Sequence, residues 1–294
     1  MNQLHKLCKN DYSTGMYLAV LGVIILSPDS LLIRLISVDS WTLLFWRGFL
    51  SSLAFAVVLF LTRRLNAHQL VSGVGVHGIC VAILMAGSSI LFVHSIRLTA
   101  VSNTLVILSA APVFAGVMSR VFLHEYIAPR TWYGVVIVAV GMVVIFSGGL
   151  TTGRFLGDVC ALGTAFTFAA TFVVLRRAKN INILPTILLM GVLISISVTP
   201  LANPFSIDLG SFAYLLLLGL VVLPIAYSLL FIAPRYLPAP DIALVSLLEA
   251  LLGPLWVWLV FTELPTTETF LGGFLILGTL VILTLVGVSQ KHPS

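Results

Sequence analysis

The sequence predicts an all-α integral membrane protein with ten transmembrane helices arranged as two inverted five-helix repeats. Composition is the first observation behind this: 60% of the 294 residues are hydrophobic and only 9% are charged, against about 25% charged in soluble domains. The second is that the apolar residues form continuous runs of about 20, the length of a helical span. These runs lack the alternation typical of a β-barrel. The third is a weak likeness between the two halves.

Each predicted span is bounded by Pro, Gly, Asn or charged residues. The ten spans cover residues 14–34, 41–62, 70–95, 99–122, 130–148, 157–175, 184–202, 211–233, 239–262 and 269–288. Within the first span, Pro28 has no N–H for the carbonyl of Ile24, which predicts a broken helix. Ten spans joined by short loops leave no room for a water-soluble domain.

Lys and Arg lie mostly on one side of these spans. With the N-terminus inside, ten fall on the inner side and three, Arg34, Arg97 and Arg154, fall on the outer side. Cytoplasmic loops carry the excess of basic residues, so the tails 1–13 and 289–294 are both expected in the cytoplasm. Membrane orientation thus explains the net charge of +5, and no nucleic-acid partner is expected. The short loops favour a bacterial inner membrane.

The two halves match at a few positions. A shift of 138 brings together Arg97 and Arg235, Glu125 and Glu263, and Gly134 and Gly272; a shift of 142 brings together Gly15 and Gly157, Ala19 and Ala161, and Arg34 and Arg176. Five spans per half is an odd number, so the second half enters the membrane from the opposite side, as in many secondary transporters. The repeats are predicted at 14–150 and 151–288.

Two short segments carry a family resemblance. They are Ser109-Ala110-Ala111-Pro112-Val113-Phe114 before His124-Glu125, and Ser246-Leu247-Leu248-Glu249-Ala250 before Thr262-Glu263. With these segments the chain, over roughly 14–288, resembles the EamA-type branch of the drug/metabolite transporter superfamily. The resemblance implies a transporter, often an exporter, with a cavity between the halves, but no particular cargo. The chain departs from the family at Ala250, where Pro is common, and in the first span, which lacks a Trp-Gly pair.

Three ionisable residues inside the spans are the main site candidates, because each costs about 2.5–3.5 kcal/mol at a span centre. Asp29 and Arg47 fall in the same outer half, about 8 Å and 6–7 Å from their span centres, so they are expected to pair. The pair is either structural or also a contact for cargo. Glu249 lies mid-span and suits a cation, an amine or a proton; the alternative is a protonated Glu bonded to a backbone carbonyl.

Four further residues are predicted to line a cavity. Ser246 and Trp256 share the face of Glu249 at helical spacing, Tyr227 lies deep in the eighth span, and His94 lies near the outer end of the third. No catalytic residues, metal site or cofactor are expected, because neither a metal-ligand nor a nucleophile motif is present. These residues point to substrate or proton contacts instead.

The expected function is alternating-access transport of a small amphipathic metabolite, such as an amino acid or amine. Since the sequence has no nucleotide-binding loop, the energy source is expected to be a gradient, most simply of protons, and the direction export. The partners are the lipid bilayer and a small-molecule substrate, and homodimer formation is left open. The alternative is an exchanger of an anionic or nucleotide-sugar-like metabolite. An intramembrane enzyme or a passive channel fits the dispersed single charges less well.

Overall fold

The structure is a computed structural model that describes residues 2–61, 67–124, 154–178, 181–237 and 239–261. It also describes 136–137, 140–141, 143–144, 267, 270–271, 273–275 and 278–279. Side chains are described from Ser13 onward, except for 67–73 and single positions near 240. Within these ranges the regular structure is entirely helical. The predicted spans 130–148 and 269–288 lie largely outside the described residues.

The first half contains α1 (Asn2–Leu26), α2 (Asp29–Leu35), α3 (Ser40–Leu61), α4 (Ala67–Leu98), α5 (Val101–Leu108) and α6 (Ala111–Phe122). The second half contains α7 (Phe155–Arg177), α8 (Ile183–Val198), α9 (Leu209–Leu216), α10 (Leu223–Ile232), α11 (Ala239–Val245) and α12 (Leu247–Phe261). A π-helical segment, Leu217–Val222, joins α9 to α10, and a 3-10 turn, Ala233–Arg235, follows α10.

Six described segments are long and apolar enough to cross a membrane: Ser13–Leu35, Ser40–Leu61, Val74–Leu98, Val101–Phe122, Phe155–Arg177 and Leu209–Arg235. Ile183–Val198 and Leu248–Phe261 are apolar but shorter. Inside α4, Gly75 has a positive φ of 60°, a conformation that glycine adopts without a steric cost. The membrane-crossing part of α4 begins just before this kink.

Among the described residues, three of the predicted spans are interrupted by one or two turn residues between two helices. The break at Pro28 was predicted, but the breaks between α5 and α6 and between α11 and α12 were not. In both, a serine hydroxyl donates to a carbonyl of the preceding turn, Ser109 to Val106 and Ser246 to Ile242; such bonds compete with the helical ladder. Glu249 therefore stands in the first turn of α12, beside a break, rather than in the middle of a continuous helix.

The helices run between two ends of the molecule. At the Asp39 end, the loop before α3 lies near the start of α7, because Arg97 donates to the carbonyl of Ile36 and Thr99 donates to Asp158. At the opposite end, here the Arg177 end, Arg177 at the end of α7 donates to the carbonyl of Phe122 at the end of α6. Hence α6 ends at the Arg177 end, whereas α7 begins at the Asp39 end.

One helix of each half meets the other backbone to backbone. A Cβ added to Gly48 of α3 would lie 2.6 Å from the carbonyl oxygen of Gly191 of α8, and a Cβ on Gly191 would lie 2.7 Å from the oxygen of Gly48. Neither side chain can be larger than hydrogen without moving the backbone. Ser195 of α8 strengthens the contact by donating to the carbonyl of Phe45 over 3.2 Å.

Two pairs of arginines tie the helix ends together, one pair at each end. At the Asp39 end, Arg34 donates to the carbonyl of Thr99 over 3.0 Å and Arg97 donates to that of Ile36 over 2.7 Å. We call Arg34 and Arg97 the first arginine latch. An arginine of α2 donates to the loop after α4, and an arginine of α4 donates to the loop after α2.

The second arginine latch consists of Arg176 and Arg235 at the Arg177 end. Arg176 donates to the carbonyl of Pro234 over 3.3 Å, and Arg235 donates to that of Ile181 over 3.0 Å. The loop after α7 is thereby joined to the end of α10. In each latch, both of the connected segments contribute one arginine.

Candidate functional site

A cavity of about 30 Å³ lies between helices of both halves and is lined by residues of each. Its polar lining comes from Asp29, Arg47, Ser88, Ser89, Thr164, Tyr227 and Glu249. Its apolar lining comes from Leu26, Met85, Phe92, Leu108 and Phe168. Of the predicted site residues, the structure thus brings Asp29, Arg47, Glu249 and Tyr227 together around one space.

Asp29 and Arg47 form the ion pair that their depths predict. The break at Pro28 places Asp29 at the start of α2, where Arg47 Nη1 contacts Oδ1 and Nη2 donates to Oδ2 over 2.7 Å. Both side chains are 2% exposed. Two parallel bonds between a guanidinium and a carboxylate fix the geometry as well as the charge balance.

Arg47 makes two further hydrogen bonds. Nε donates to the hydroxyl of Ser89 over 3.2 Å, and Nη2 also donates to the hydroxyl of Tyr227 over 3.3 Å. One arginine therefore links α2, α4 and α10 through α3. As a result, little of its hydrogen-bonding capacity is left for a ligand in this conformation.

Glu249 lies on the same cavity, but its carboxyl group is bonded differently. It is 4% exposed, and no described residue donates a hydrogen bond to the carboxyl, although its backbone N–H bonds Ser246. A buried carboxylate without a partner is costly. The group therefore holds a proton or requires a cation in the cavity.

The other three predicted cavity residues are not among those that line this cavity. Ser246 is turned to the carbonyl of Ile242 at the break before α12. Trp256 shares the face of Glu249 but stands two helical turns farther along, about 10 Å, where its Nε1 donates to the hydroxyl of Ser27 over 3.0 Å.

His94 packs near the Asp39 end of α4. Its Nδ1 lies 2.8 Å from the carbonyl of Ile90, four residues earlier, and its ring centroid lies 4.5 Å from that of Trp41. Local bonding and aromatic packing satisfy this side chain. The cavity contact predicted for His94 is not among the contacts that the structure shows for it.

Sequence reasoning missed several lining residues. Ser88 and Ser89 form a polar pair in the middle of an apolar span, a signal that could have indicated them. Thr164 and Phe168 carry no such signal, since their place on the cavity depends on how α7 packs against α4. Across the described parts of the chain, no three His, Cys, Asp or Glu side chains come together.

Apolar helices around a charged internal cavity define a multi-pass integral membrane protein with a site inside the bundle. The chain belongs to the EamA-like transporter family, whose model matches it twice, at residues 13–147 and 155–285. The family identifies it as a membrane transporter, and the two matches show that it contains two repeats.

Comparison with solved structures supports the fold. One crystal structure, 16% identical in sequence, matches with a TM-score of 0.69 over 92% of this chain and 98% of the other. At that identity the likeness concerns the fold alone. A comparison with curated proteins gives no match.

Proposed function

We propose that the chain is a secondary active transporter that exports a small amphipathic metabolite bearing a positive charge, such as an amine or amino acid, by alternating access coupled to a proton gradient. One observation carries the proposal: in the same cavity, Arg47 is held by Asp29 while the carboxyl of Glu249 has no described hydrogen-bond donor. The unsatisfied charge of the site is therefore negative.

This charge pattern favours a cationic group over an anionic one. A phosphorylated or carboxylate cargo would need Arg47, and that would require Asp29 to give up two hydrogen bonds and remain buried without a partner. Removing one partner of a buried ion pair costs about 3–5 kcal/mol. An exchanger of anions or nucleotide sugars is consequently the weaker alternative.

The apolar part of the cavity suits the rest of such a molecule. Phe92, Phe168 and Tyr227 place aromatic rings in the lining. Aromatic faces attract ammonium groups by about 0.5–2 kcal/mol, with the higher value in desolvated sites. A small amine with an apolar body would thus find a carboxyl group and aromatic walls together.

The size of the cavity supports a moving mechanism. About 30 Å³ holds one or two water molecules, whereas small-molecule sites usually measure about 300–1,000 Å³. The bonds of both arginine latches are formed, one pair at each end. We interpret this conformation as a contracted state between loading and release, in which the cavity is too small to hold cargo.

The directions of the helices support ten spans in two inverted repeats. The chain leaves α6 at the Arg177 end and enters α7 at the Asp39 end, which requires an odd number of crossings between them. A fifth span at 130–148 meets this requirement. The distribution of Lys and Arg then supports a bacterial inner membrane with both termini in the cytoplasm and the Asp39 end outside.

Proton coupling follows from competition for Glu249. A carboxyl group that holds either a proton or a cationic cargo exchanges one for the other, so protons moving inward can drive cargo outward. No separate energy-transducing part is then needed.

The test is a thermal-shift screen of the purified protein with amines, amino acids, organic acids and nucleotide sugars. At a concentration one hundred times the Kd, a ligand adds about 2.7 kcal/mol to the stability of the folded state. We expect an amine or amino acid to stabilise the wild type but not Glu249→Gln. Asp208→Asn is the matched control, because Asp208 is an exposed helix cap that bonds Ser211 N–H, a bond that asparagine keeps.

Transport of the stabilising compound is then measured by counterflow in liposomes. Counterflow by the wild type and Asp208→Asn, and its loss in Glu249→Gln, would support the proposal. Stabilisation by anions alone, lost in Arg47→Ala, would overturn it and assign the site to Arg47.

A further inference from the structure

A second buried carboxyl group lies outside the cavity, at the Asp39 end. Asp158, in the first turn of α7, is fully buried. Its Oδ1 accepts hydrogen bonds from the hydroxyl of Thr99 over 2.8 Å and from the amide of Asn103 over 3.3 Å. Its Oδ2 is buried and has no hydrogen-bond partner among the described residues.

This unequal bonding distinguishes Asp158 from Asp29. Both oxygens of Asp29 contact a guanidinium group, as expected of a carboxylate. In Asp158, one oxygen accepts from two neutral donors and the other accepts nothing. That is the pattern of a carboxylic acid, in which the carbonyl oxygen accepts and the hydroxyl oxygen carries a proton. An ionised Asp158 would instead bury a charged oxygen without a partner, which is costly.

The charged groups around Asp158 do not replace the proton. Arg154 lies one helical turn earlier and attracts the carboxyl electrostatically, but no ion pair between them is formed in the described part of the chain. Arg34 and Arg97, on the neighbouring elements, direct donors to backbone carbonyls. Asp39, at the same end, is exposed to solvent. The amide groups of the first turn of α7 favour a negative charge, yet none donates to the carboxyl.

The chain is closely packed at the residue next to Asp158. A Cβ added to the adjacent Gly157 would lie 2.7 Å from the Cβ of Thr99 and 2.8 Å from its backbone nitrogen. α7 therefore sits directly against the chain at Thr99. A proton needs no cavity, whereas a sodium ion needs several oxygen ligands and the space between them.

We propose that Asp158 is a proton-binding site of the transporter, separate from the central cavity and loaded while the Asp39 end is closed. When α7 separates from Thr99, the O–H bond at Oδ2 breaks, the proton passes to water, and the carboxylate remains in contact with solvent. Thr99 also accepts the hydrogen bond from Arg34 of the first arginine latch. Release of this latch and release of the proton are thus linked through one residue.

This site deepens the proposed proton coupling and rests on that proposal for its role, but its occupancy is measurable without any cargo. The experiment is infrared spectroscopy of the purified protein at neutral pH, which detects the carbonyl stretch of a protonated carboxyl group. Glu249→Gln serves as the background, because it removes the carboxyl group of the cavity from the spectrum.

We expect a protonated-carboxyl band in the Glu249→Gln protein and its loss in Glu249→Gln/Asp158→Asn. Asparagine is nearly isosteric, and its carbonyl oxygen still accepts from Thr99 and Asn103. A band of equal strength in both proteins would overturn the assignment. If the double variant does not fold, the single variant decides, since absence of the band there would also overturn it.

A second measurement tests the link to the latch. A cysteine at the exposed position of Ser37, with the native cysteines replaced by serine, reports opening of the Asp39 end by its reaction rate with a thiol reagent. After correction for thiol ionisation, we expect the rate to rise with pH in the parent and to be independent of pH with Asp158→Asn. Equal pH dependence in both would contradict the link. A failed cargo screen with an intact infrared band would refute the proposed cargo and leave this site standing.

Discussion

The two repeats share the features that join and interrupt their helices, but they differ in their buried charged residues. Each contributes one glycine to the contact between Gly48 and Gly191, which stand 143 positions apart in the sequence. Each repeat also has an arginine latch, and each has a helix break after a serine. These features shape the backbone, and both copies retain them.

The buried acidic residues Asp29, Asp158 and Glu249 have no acidic counterpart in the other repeat. The shift of 142 that brings Gly15 onto Gly157 places Thr171 opposite Asp29 and Met16 opposite Asp158. The shift of 138 places Ala111 opposite Glu249. Repetition thus accounts for the scaffold, whereas the single charges account for the chemistry. Under the proposed function, a single cavity gains nothing from duplicate charges, since a second copy would bury a second unpaired group.

Asp29 and its counterpart Thr171 give the strongest contrast. Asp29→Ala leaves Arg47 charged, buried and unpaired, so we expect a loss of about 3–5 kcal/mol in the free energy of unfolding. Thr171 is also buried, but its hydroxyl bonds the carbonyl of Thr167 in its own helix. Thr171→Val should therefore cost only about 0.5–1.5 kcal/mol. Unfolding of the detergent-solubilised variants by denaturant measures both.

The double variant Asp29→Ala/Arg47→Met is the internal control, because it removes both charges. We expect it to recover part of the stability lost in Asp29→Ala, since replacing a whole buried ion pair by apolar groups is often close to neutral. If Asp29→Ala lowered the free energy of unfolding no more than Thr171→Val, the ion pair between Asp29 and Arg47 would not stabilise the fold as we expect.

The ion pair was predictable from the sequence, and the reason is physical. Two opposite charges at similar depths in adjacent helices avoid the free-energy cost of unpaired charges in lipid by pairing with each other. The rise of 1.5 Å per residue is sufficient to estimate the depth of each charge. The helical spacing that placed Trp256 on the face of Glu249 did not give its distance from the cavity along the helix. Asp158 was overlooked because one Asp at the start of an apolar run looks like a loop residue. Its burial depends on Thr99 and Asn103, which only the packing of α7 brings near.

The two arginine latches allow the two repeats to be compared by how readily each end of the molecule opens. Arg97→Gln removes the bonds to the carbonyls of Ile36 and Val38, whereas Arg235→Gln removes the bond to Ile181. A hydrogen bond from a charged group contributes about 1.5 kcal/mol or more, roughly a tenfold change in an equilibrium. We expect Arg97→Gln to favour opening of the Asp39 end and Arg235→Gln to favour opening of the Arg177 end.

Reactive cysteines report this directly in a background without native cysteines. One replaces Ser37 at the Asp39 end, and the other replaces Tyr236, which is 38% exposed, at the Arg177 end. Each latch variant should increase labelling at its own end and decrease it at the other. Labelling that rises at both ends together would indicate general loosening rather than alternating access.

The smallest predicted difference concerns the helices that carry the paired glycines. Asp39 precedes α3, and its Oδ2 accepts from the N–H groups of Trp41 and Thr42 over 3.0 Å each. Asn182, 143 positions later, precedes α8 without a side-chain cap bond. We expect Asp39→Ala to cost about 1 kcal/mol and Asn182→Ala to be nearly neutral.

The cap at Asp39 should also depend on pH. Burial alone would raise the pKa of Asp39, but the hydrogen bonds from Thr42 and Trp41 outweigh it and hold the pKa below its ordinary value. The stabilisation is therefore complete above the unfolded pKa, about 3.9, and is lost as the pH falls through the lower folded pKa. Melting temperatures of the wild type and Asp39→Ala should differ most near neutral pH and converge in acid. Asp39→Asn keeps the hydrogen-bond acceptor without the charge, so the difference in melting temperature between Asp39→Asn and Asp39→Ala should not change with pH. If that difference also fell in acid, as expected for the wild type, the charge of Asp39 would not be the cause of the pH dependence.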